Sequence, residues 1–220
     1  MAKINRRFWF QLHGWLSLPI WVIFSFVCLT GTISVLSHEI TWLTNSDSRA
    51  SNPEQLAAKP IADLVKAVEN KFPTADVSWV MTRESYLSYV ISFTDTDKPA
   101  AQAYVNQYTA EIQEVFQGMT FIGFMRSLHG WLLFPWHHNF SIGYYLVSLM
   151  AIVMMGALVT GLVVYKKFWR ALFKPQLRVS KGLRIFLQDA HRFSGVWSMW
   201  FLFIISITGL WYLTQAVLWH

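Results

Sequence analysis

Residues 142–165 have the sequence IGYYLVSLMAIVMMGALVTGLVVY, which contains no charged side chain. At about 1.5 Å of rise per residue, a helix of this length crosses the roughly 30 Å hydrocarbon core of a bilayer. Lys166 and Lys167 follow directly, and basic residues are enriched on the cytoplasmic side of a membrane span. The stretch therefore predicts a membrane-spanning helix that runs inward.

Two further apolar runs, residues 15–36 and 195–217, lie on either side of this one in the chain. Basic residues precede both runs. Lys3, Arg6 and Arg7 come before residues 15–36, and Arg178, Lys181, Arg184 and Arg192 come before residues 195–217. By the positive-inside rule, the first and third helices run outward. The first run is too long for a signal-peptide core and has no clean cleavage site, so we expect it to be retained. The pattern predicts a bacterial inner-membrane protein with a cytoplasmic N-terminus and a periplasmic C-terminus.

The composition agrees with a membrane location and excludes several classes of protein. Hydrophobic residues make up 54% of the chain and charged residues only 14%, against about a quarter in soluble domains. The net charge of +6 is concentrated beside the apolar runs, which argues against nucleic acid as a partner. Cys28 is the single cysteine, so an internal disulfide and a cysteine-based zinc or iron–sulfur site are excluded.

Between the first two spans lies a region with the pattern of a small α+β domain. Residues 60–72 place apolar side chains on one helical face, and residues 77–81 and 86–93 are rich in β-branched and aromatic residues. Residues 104–115 predict a further strand or a hairpin that turns at Thr109–Ala110. The predicted fold is thus a mainly α membrane protein with three transmembrane helices and a small extracytoplasmic α+β domain. The predicted divisions are residues 1–41 (first helix), 42–124 (α+β domain), 125–140 (interfacial segment), 141–166 (second helix), 167–190 (basic cytoplasmic loop) and 191–220 (third helix).

The chain has seven histidines, and each falls near an end of a predicted span: His13, His38, His129, His137, His138, His191 and His220. His13 and His191 fall at the cytoplasmic ends of the first and third helices, and the other five fall at the outer face. The sequence Leu12-His13-Gly14-Trp15-Leu16 recurs as Leu128-His129-Gly130-Trp131-Leu132, with a looser copy at residues 190–195. Thr-Gly pairs at residues 30–31, 160–161 and 208–209 recur late in the three apolar runs.

Repeated histidines at matching depths suit the axial ligation of haem, which takes one nitrogen from each side of the ring. Without a C-x-x-C-H sequence the haem would not be covalently attached. Glu39 and Asp189 stand at the edges of the spans, where either is a candidate hydrogen-bond partner for a nearby histidine ring. Zinc or copper transport is the competing interpretation of clustered histidines, but no Asp or Glu lies within the three apolar cores.

The order of these motifs resembles the PepSY-associated transmembrane family, some members of which are ferric or siderophore reductases. The resemblance rests on Leu12-His13-Gly14-Trp15-Leu16, Leu29-Thr30-Gly31, His38-Glu39-Ile40, the stretch 104–112 (YVNQYTAEI), Leu128-His129-Gly130 and His191-Arg192-Phe193-Ser194-Gly195. It covers most of the chain and identifies residues 42–124 as PepSY-like. The chain departs from the family pattern at Ala110, where glycine is usual, and in having three spans where larger members have four.

The resemblance implies haem b ligated by His13, His129 and His191, with His38 at a less constant position; His137 and His138 are weaker candidates. It implies outward electron transfer to ferric iron or a ferric chelate. No nucleotide-binding motif is present, so the electron donor would be a quinol or a cytoplasmic flavin or NAD(P)H reductase. We expect one or two haems per protomer or shared across a homodimer, and no residue is assigned to catalysis. Two alternatives stay open: a non-enzymatic PepSY-type binding or regulatory module, and a metal-transport accessory.

Overall fold

The computed structural model describes residues 5–19, 21–165, 168–174 and 176–218. The helices are α1 (Arg6–Ser17), α2 (Trp21–Thr44), α3 (Ile61–Lys71), α4 (Phe121–Trp131), α5 (Ile142–Val164), α6 (Phe168–Phe173), α7 (Leu183–Trp197) and α8 (Met199–Leu218). The strands are β1 (Asp76–Met81), β2 (Tyr89–Asp95), β3 (Lys98–Val105) and β4 (Ile112–Gln117). The chain divides into a helical unit, formed by residues 1–29 and 127–220, and a sheet domain formed by residues 30–126.

Among the described residues, three helices are long and apolar enough to cross a membrane: α2, α5 and α8. The prediction of three spans is therefore confirmed. The first apolar run differs in detail, because α1 ends at Ser17 and α2 begins at Trp21. Pro19 lies between the two helices; proline removes a backbone donor and disfavours helical geometry in the residue before it.

The third predicted segment, residues 191–220, also differs from the structure, since it covers parts of two helices. His191 lies in α7, which ends at Trp197, and α8 begins two residues later at Met199. The predicted basic loop 167–190 holds α6, a 3₁₀ turn over Val179–Lys181 and the first half of α7. His220 lies outside the described residues.

In the helical unit, α5 packs against both α1 and α8. The contact with α8 is close at Gly209, where an added Cβ would stand 2.7 Å from the Cβ of Ala151. At the start of α5, a Cβ on Gly143 would overlap the carbonyl oxygen of Trp131. Small residues allow this approach, as is common between helices in membranes. Because Gly143 accommodates the carbonyl of Trp131, the end of α4 lies beside the start of α5.

The sheet domain is a four-stranded antiparallel meander in the order β1-β2-β3-β4, packed against α3. Ile91 pairs with Ala103 and Phe93 with Ala101, so these side chains share one face of the sheet. Leu64 and Val68 of α3 are buried in the same core. The predicted helix 60–72 and the predicted strands 77–81 and 86–93 correspond to α3, β1 and β2.

The predicted turn at Thr109–Ala110 lies in the β3–β4 hairpin, whose strands end at Val105 and begin again at Ile112. Ala110 has a φ of 65°, which is a left-handed conformation that glycine adopts more readily. Asn106 holds the turn by accepting a hydrogen bond from the Tyr108 amide at 2.9 Å. The geometry explains why glycine suits this turn better than the alanine present here.

The predicted interfacial segment, residues 125–140, contains the second half of α4 and an irregular stretch that leads into α5. Leu132, Leu133, His138 and Asn139 all have positive φ in this stretch. Phe134, Trp136 and Phe140 are exposed there, as expected of a segment rich in aromatic residues.

Candidate functional site

His13, on α1, is held by the helix that it packs against. Its Nδ1 lies 3.1 Å from the carbonyl oxygen of Ala157 and 3.0 Å from the hydroxyl oxygen of Thr160, both on α5. A carbonyl oxygen can only accept, so Nδ1 carries the proton. In the neutral ring, Nε2 then keeps its lone pair and is the nitrogen free to bind a metal. The sequence predicted His13 as a ligand but gave no means of choosing between its two ring nitrogens.

Thr160 supports this arrangement from within α5. Its side chain is 2% exposed, and its hydroxyl donates to the carbonyl of Gly156 at 2.7 Å. The donated proton leaves the oxygen of Thr160 free to accept from His13. A Cβ on Gly161 would be 3.5 Å from Cε1 of His13, so the residue after Thr160 also lies against the imidazole. The Thr160-Gly161 pair noted in the sequence therefore contacts the histidine directly.

His191, on α7, lies across from His13. The two ring centroids are 6.2 Å apart and their planes are inclined by 59°. An imidazole bound to a metal at about 2 Å has its centroid about 3 Å from that metal, so two ligands on opposite sides have centroids about 6 Å apart. The observed separation has the size that such a pair requires, and it brings two histidine rings from different helices close together.

Asp189 was expected as a candidate partner for His191, but it contacts other groups. Its Oδ2 accepts from Nε of Arg178 at 2.8 Å, and its Oδ1 accepts from Nη2 of Arg178 at 2.9 Å. Two residues of an α-helix are about 200° apart around its axis, so Asp189 and His191 point to nearly opposite sides of α7. The hydrogen bonds from Arg178 hold the pKa of Asp189 at about 2. Asp189 thus binds Arg178, which lies in the segment before α7, on the face of α7 opposite His191.

Glu39 likewise has a different partner, the hydroxyl of Tyr86, which donates to its carboxylate at 3.2 Å.

His129, on α4, repeats the arrangement of His13. Its Nδ1 lies 3.0 Å from the carbonyl oxygen of Val27 on α2, which again assigns the proton to Nδ1 and leaves Nε2 as a potential ligand. Val27 precedes Thr30-Gly31 by the same three residues that separate Ala157 from Thr160-Gly161. The two Leu-His-Gly-Trp-Leu motifs therefore dock on equivalent turns of two different membrane helices.

These two histidines lie at different levels along α5. His13 contacts Ala157 in the last third of the helix, whereas Trp131, two residues after His129, contacts Gly143 at its beginning. Ala157 and Gly143 are about 21 Å apart along the helix axis. Two potential ligands thus lie near opposite ends of one span.

The third Thr-Gly pair, Thr208-Gly209, does not repeat this role. Thr208 donates to carbonyl oxygens of its own helix at Ile204 and Ile205, and Gly209 contacts Ala151.

Sequence reasoning missed the backbone groups of Ala157 and Val27, because a carbonyl has no residue type to mark it. The Thr-Gly pairs that follow them were the available signal.

The remaining histidines have other surroundings. His38, on α2, has its Nδ1 2.8 Å from a carboxylate oxygen of Glu84. His137 and His138 are exposed on a tight turn closed by two hydrogen bonds between the backbones of His137 and Phe140, each 2.8 Å long. Within the described ranges, no group of three or more His, Cys, Asp or Glu side chains has the proximity needed to hold a metal ion.

Comparison with known proteins gives one finding. A family model described as the PepSY-associated TM region matches residues 10–220, which is nearly the whole chain. No curated protein matches the chain.

Proposed function

Because the chain belongs to the PepSY-associated transmembrane family, we propose that it carries electrons across a bacterial inner membrane on histidine-ligated haem b. The observation that carries this proposal is the pair His13 and His191, whose ring centroids are 6.2 Å apart. We further propose that the acceptor is ferric iron or a ferric chelate at the periplasmic face.

The residues present fit a haem at this pair. Both ligands are neutral imidazoles in the proposed state, which is the donor set of a low-spin haem b. Haem iron, when bound, supplies one-electron chemistry by alternating between the ferric and ferrous states. Ligation by two histidines leaves no open position for oxygen, which favours electron transfer over oxygen chemistry.

The protein's own contribution is to fix the ligands. The Ala157 carbonyl and the Thr160 hydroxyl accept from Nδ1 of His13, which sets the tautomer and the ring orientation. Arg178 and Asp189 fasten the segment before α7 to the helix that carries His191.

His129 is the proposed ligand of a second, outer haem. It shares with His13 the Nδ1 contact to a backbone carbonyl, and the two sites are about 21 Å apart along α5. Its opposite ligand is not assigned; the candidates are His38, His137, His138 or a residue of a second protomer in a homodimer. A quinol or a cytoplasmic flavin or NAD(P)H reductase would deliver the electron at the inner site.

The test is the visible spectrum of the detergent-purified protein, oxidised and reduced, with a pyridine haemochrome assay. We expect a b-type spectrum, and we expect His13→Ala and His191→Ala to remove the same haem. His137→Ala is the control for the inner site alone: this exposed histidine is a candidate only for the outer haem, so the variant should keep the haem of His13 and His191. If His13→Ala and His191→Ala each removed a different haem, the proposal that they bind the same haem would be contradicted.

A colourless protein from cells supplied with haem would overturn the proposal and favour a binding module. Stoichiometric metal without porphyrin would overturn it in favour of a metal-transport accessory.

A further inference from the structure

A crevice in the sheet domain lies between the end of α2, the loop after β1 and strand β3. Its lining consists of Thr41, Ser48, Arg83, Leu87, Ser88, Tyr104 and Ile122. The crevice is too narrow to hold a water molecule between these side chains. Polar groups that face it therefore depend on the protein, or on a ligand, for their hydrogen bonds.

Arg83 is a half-buried cation without a carboxylate partner. In the part of the chain that the structure describes, no Asp or Glu lies within ion-pair distance of its guanidinium. The adjacent Glu84 is engaged by His38 at 2.8 Å. Burial lowers the pKa of Arg83; Tyr104 and Glu84 oppose this with smaller effects, and the positive charge of Arg126 makes the smallest contribution, again lowering it. A desolvated cation is unfavourable unless an anion compensates it.

Thr41 supplies an independent sign of a missing partner. Its side chain is 4% exposed, and its hydroxyl oxygen makes no hydrogen bond. A buried hydroxyl without a partner costs about 1–3 kcal/mol, so such groups are rare. Since no water fits beside it, an ordered water is not the explanation here.

Tyr104 provides a second hydroxyl at the same crevice. Burial and the negative charge of Glu114 raise its pKa, while Arg83 acts in the opposite direction. The phenol therefore stays protonated at neutral pH and is able to donate. Arg83, Thr41 and Tyr104 together present a guanidinium fork and two hydroxyl donors, which suits an oxygen anion.

We propose that Arg83, Thr41 and Tyr104 bind a carboxylate of a small anionic ligand. This proposal requires the partly exposed side chain of Arg83 to move outward so that the carboxylate can enter, and Arg126 adds favourable charge nearby. The natural ligand is a carboxylate-rich chelator of ferric iron, and this last assignment alone rests on the proposed function.

The experiment is a calorimetric titration of iron-free citrate into the full-length protein in nanodiscs of zwitterionic phosphatidylcholine. Citrate should bind to the wild type, and Arg83→Gln should weaken binding by at least about tenfold, as expected for a lost charge-assisted pair. Thr41→Val should weaken it less, and Arg83→Lys should fall between wild type and Arg83→Gln. Lys66→Gln is the matched control, because it removes one positive charge from an exposed face of the same domain.

Binding that is unchanged in both Arg83→Gln and Thr41→Val, or absent in the wild type, would overturn the site. Each variant is compared by its thermal unfolding midpoint, and Thr41→Val keeps the test valid if Arg83→Gln unfolds. Stabilisation by phosphatidylglycerol discs without any response to citrate would assign the crevice to a lipid headgroup and overturn the free-ligand proposal. The titration needs no haem, so a colourless protein that binds citrate would refute the proposed function while leaving this site intact.

Discussion

At the scale of single residues, two side-chain environments carry most of the argument. His13 is held by a carbonyl and a hydroxyl of α5, and His129 is held by a carbonyl of α2. In both cases the acceptor is a backbone carbonyl oxygen, so the ring nitrogen beside it must carry the proton. This acceptor stays in place when a neighbouring side chain is substituted. The identity of the ring nitrogen that faces a ligand is thus a property of helix packing.

Thr160 offers a test of this support. Thr160→Val removes one of the two acceptors of the His13 ring while keeping a similar shape. We expect haem affinity to fall by about tenfold or more, which is typical when a partner of a metal-binding histidine is lost. The measurement is the rate of haem transfer to apomyoglobin. Thr208→Val is the control, because among the described residues the Thr208 hydroxyl bonds only within α8. Equal effects of the two variants would refute the role given to Thr160.

Ala110 offers a test of backbone strain. Its φ of 65° costs an alanine about 1–2 kcal/mol relative to glycine. Ala110→Gly should therefore raise the thermal unfolding midpoint of the sheet domain. Ala62→Gly, on the exposed side of α3, should lower it by removing an alanine from a helix. Destabilisation by both substitutions would show that the turn has a different conformation in solution.

At the scale of elements, the contact between α5 and α8 depends on one missing methyl group. Gly209→Ala would place a Cβ 2.7 Å from that of Ala151, and we expect a cost of about 1–3 kcal/mol from overpacking. The double variant with Ala151→Gly should restore the unfolding midpoint. Gly195→Ala is the control, since an added Cβ there meets no atom within 4 Å. No rescue in the double variant would mean that the close contact is not the cause.

The connection before α7 depends on the ion pair of Arg178 with Asp189. The carboxyl pKa is lowered from 3.8 to about 2, so the stabilisation is fully present above pH 4 and is lost as the pH falls through 2. Asp189→Asn should therefore lower the unfolding midpoint at neutral pH, and the difference from wild type should narrow between pH 4 and 2. A difference that stays constant over this range would contradict the assignment.

The sequence predicted elements where local patterns are strong and missed them where packing decides. The spans and the β3–β4 hairpin follow from apolar runs and turn residues. Pro19 accounts for the break between α1 and α2, whereas the break at Ser198 has no proline or glycine beside it. Histidine depth predicted that His13 and His191 would meet, but the carbonyl of Ala157 became recognisable only once α1 was seen to pack on α5.

At the scale of the whole molecule, two equivalent histidine environments occur on two different apolar helices, α5 and α2. His13, which precedes α2 in the chain, contacts α5. His129, which precedes α5, contacts α2. This exchange ties the two motifs to one membrane unit, with about 21 Å between their levels along α5. Such a separation covers most of a hydrocarbon core of about 30 Å.

The proposed two-haem path predicts two steps of electron transfer that separate variants can block one at a time. In proteoliposomes that contain a reductant inside, His129→Ala should keep the haem of His13 and His191 reducible yet stop reduction of external ferric citrate. His13→Ala should instead prevent reduction of either haem by the internal donor, because the inner site is then incomplete. The measurements are the visible spectrum and the ferrous iron formed outside. If the His129→Ala protein kept its full haem content and reduced ferric iron as fast as wild type, His129 would have no part in electron transfer. The site at His13 and His191 would then have to act alone.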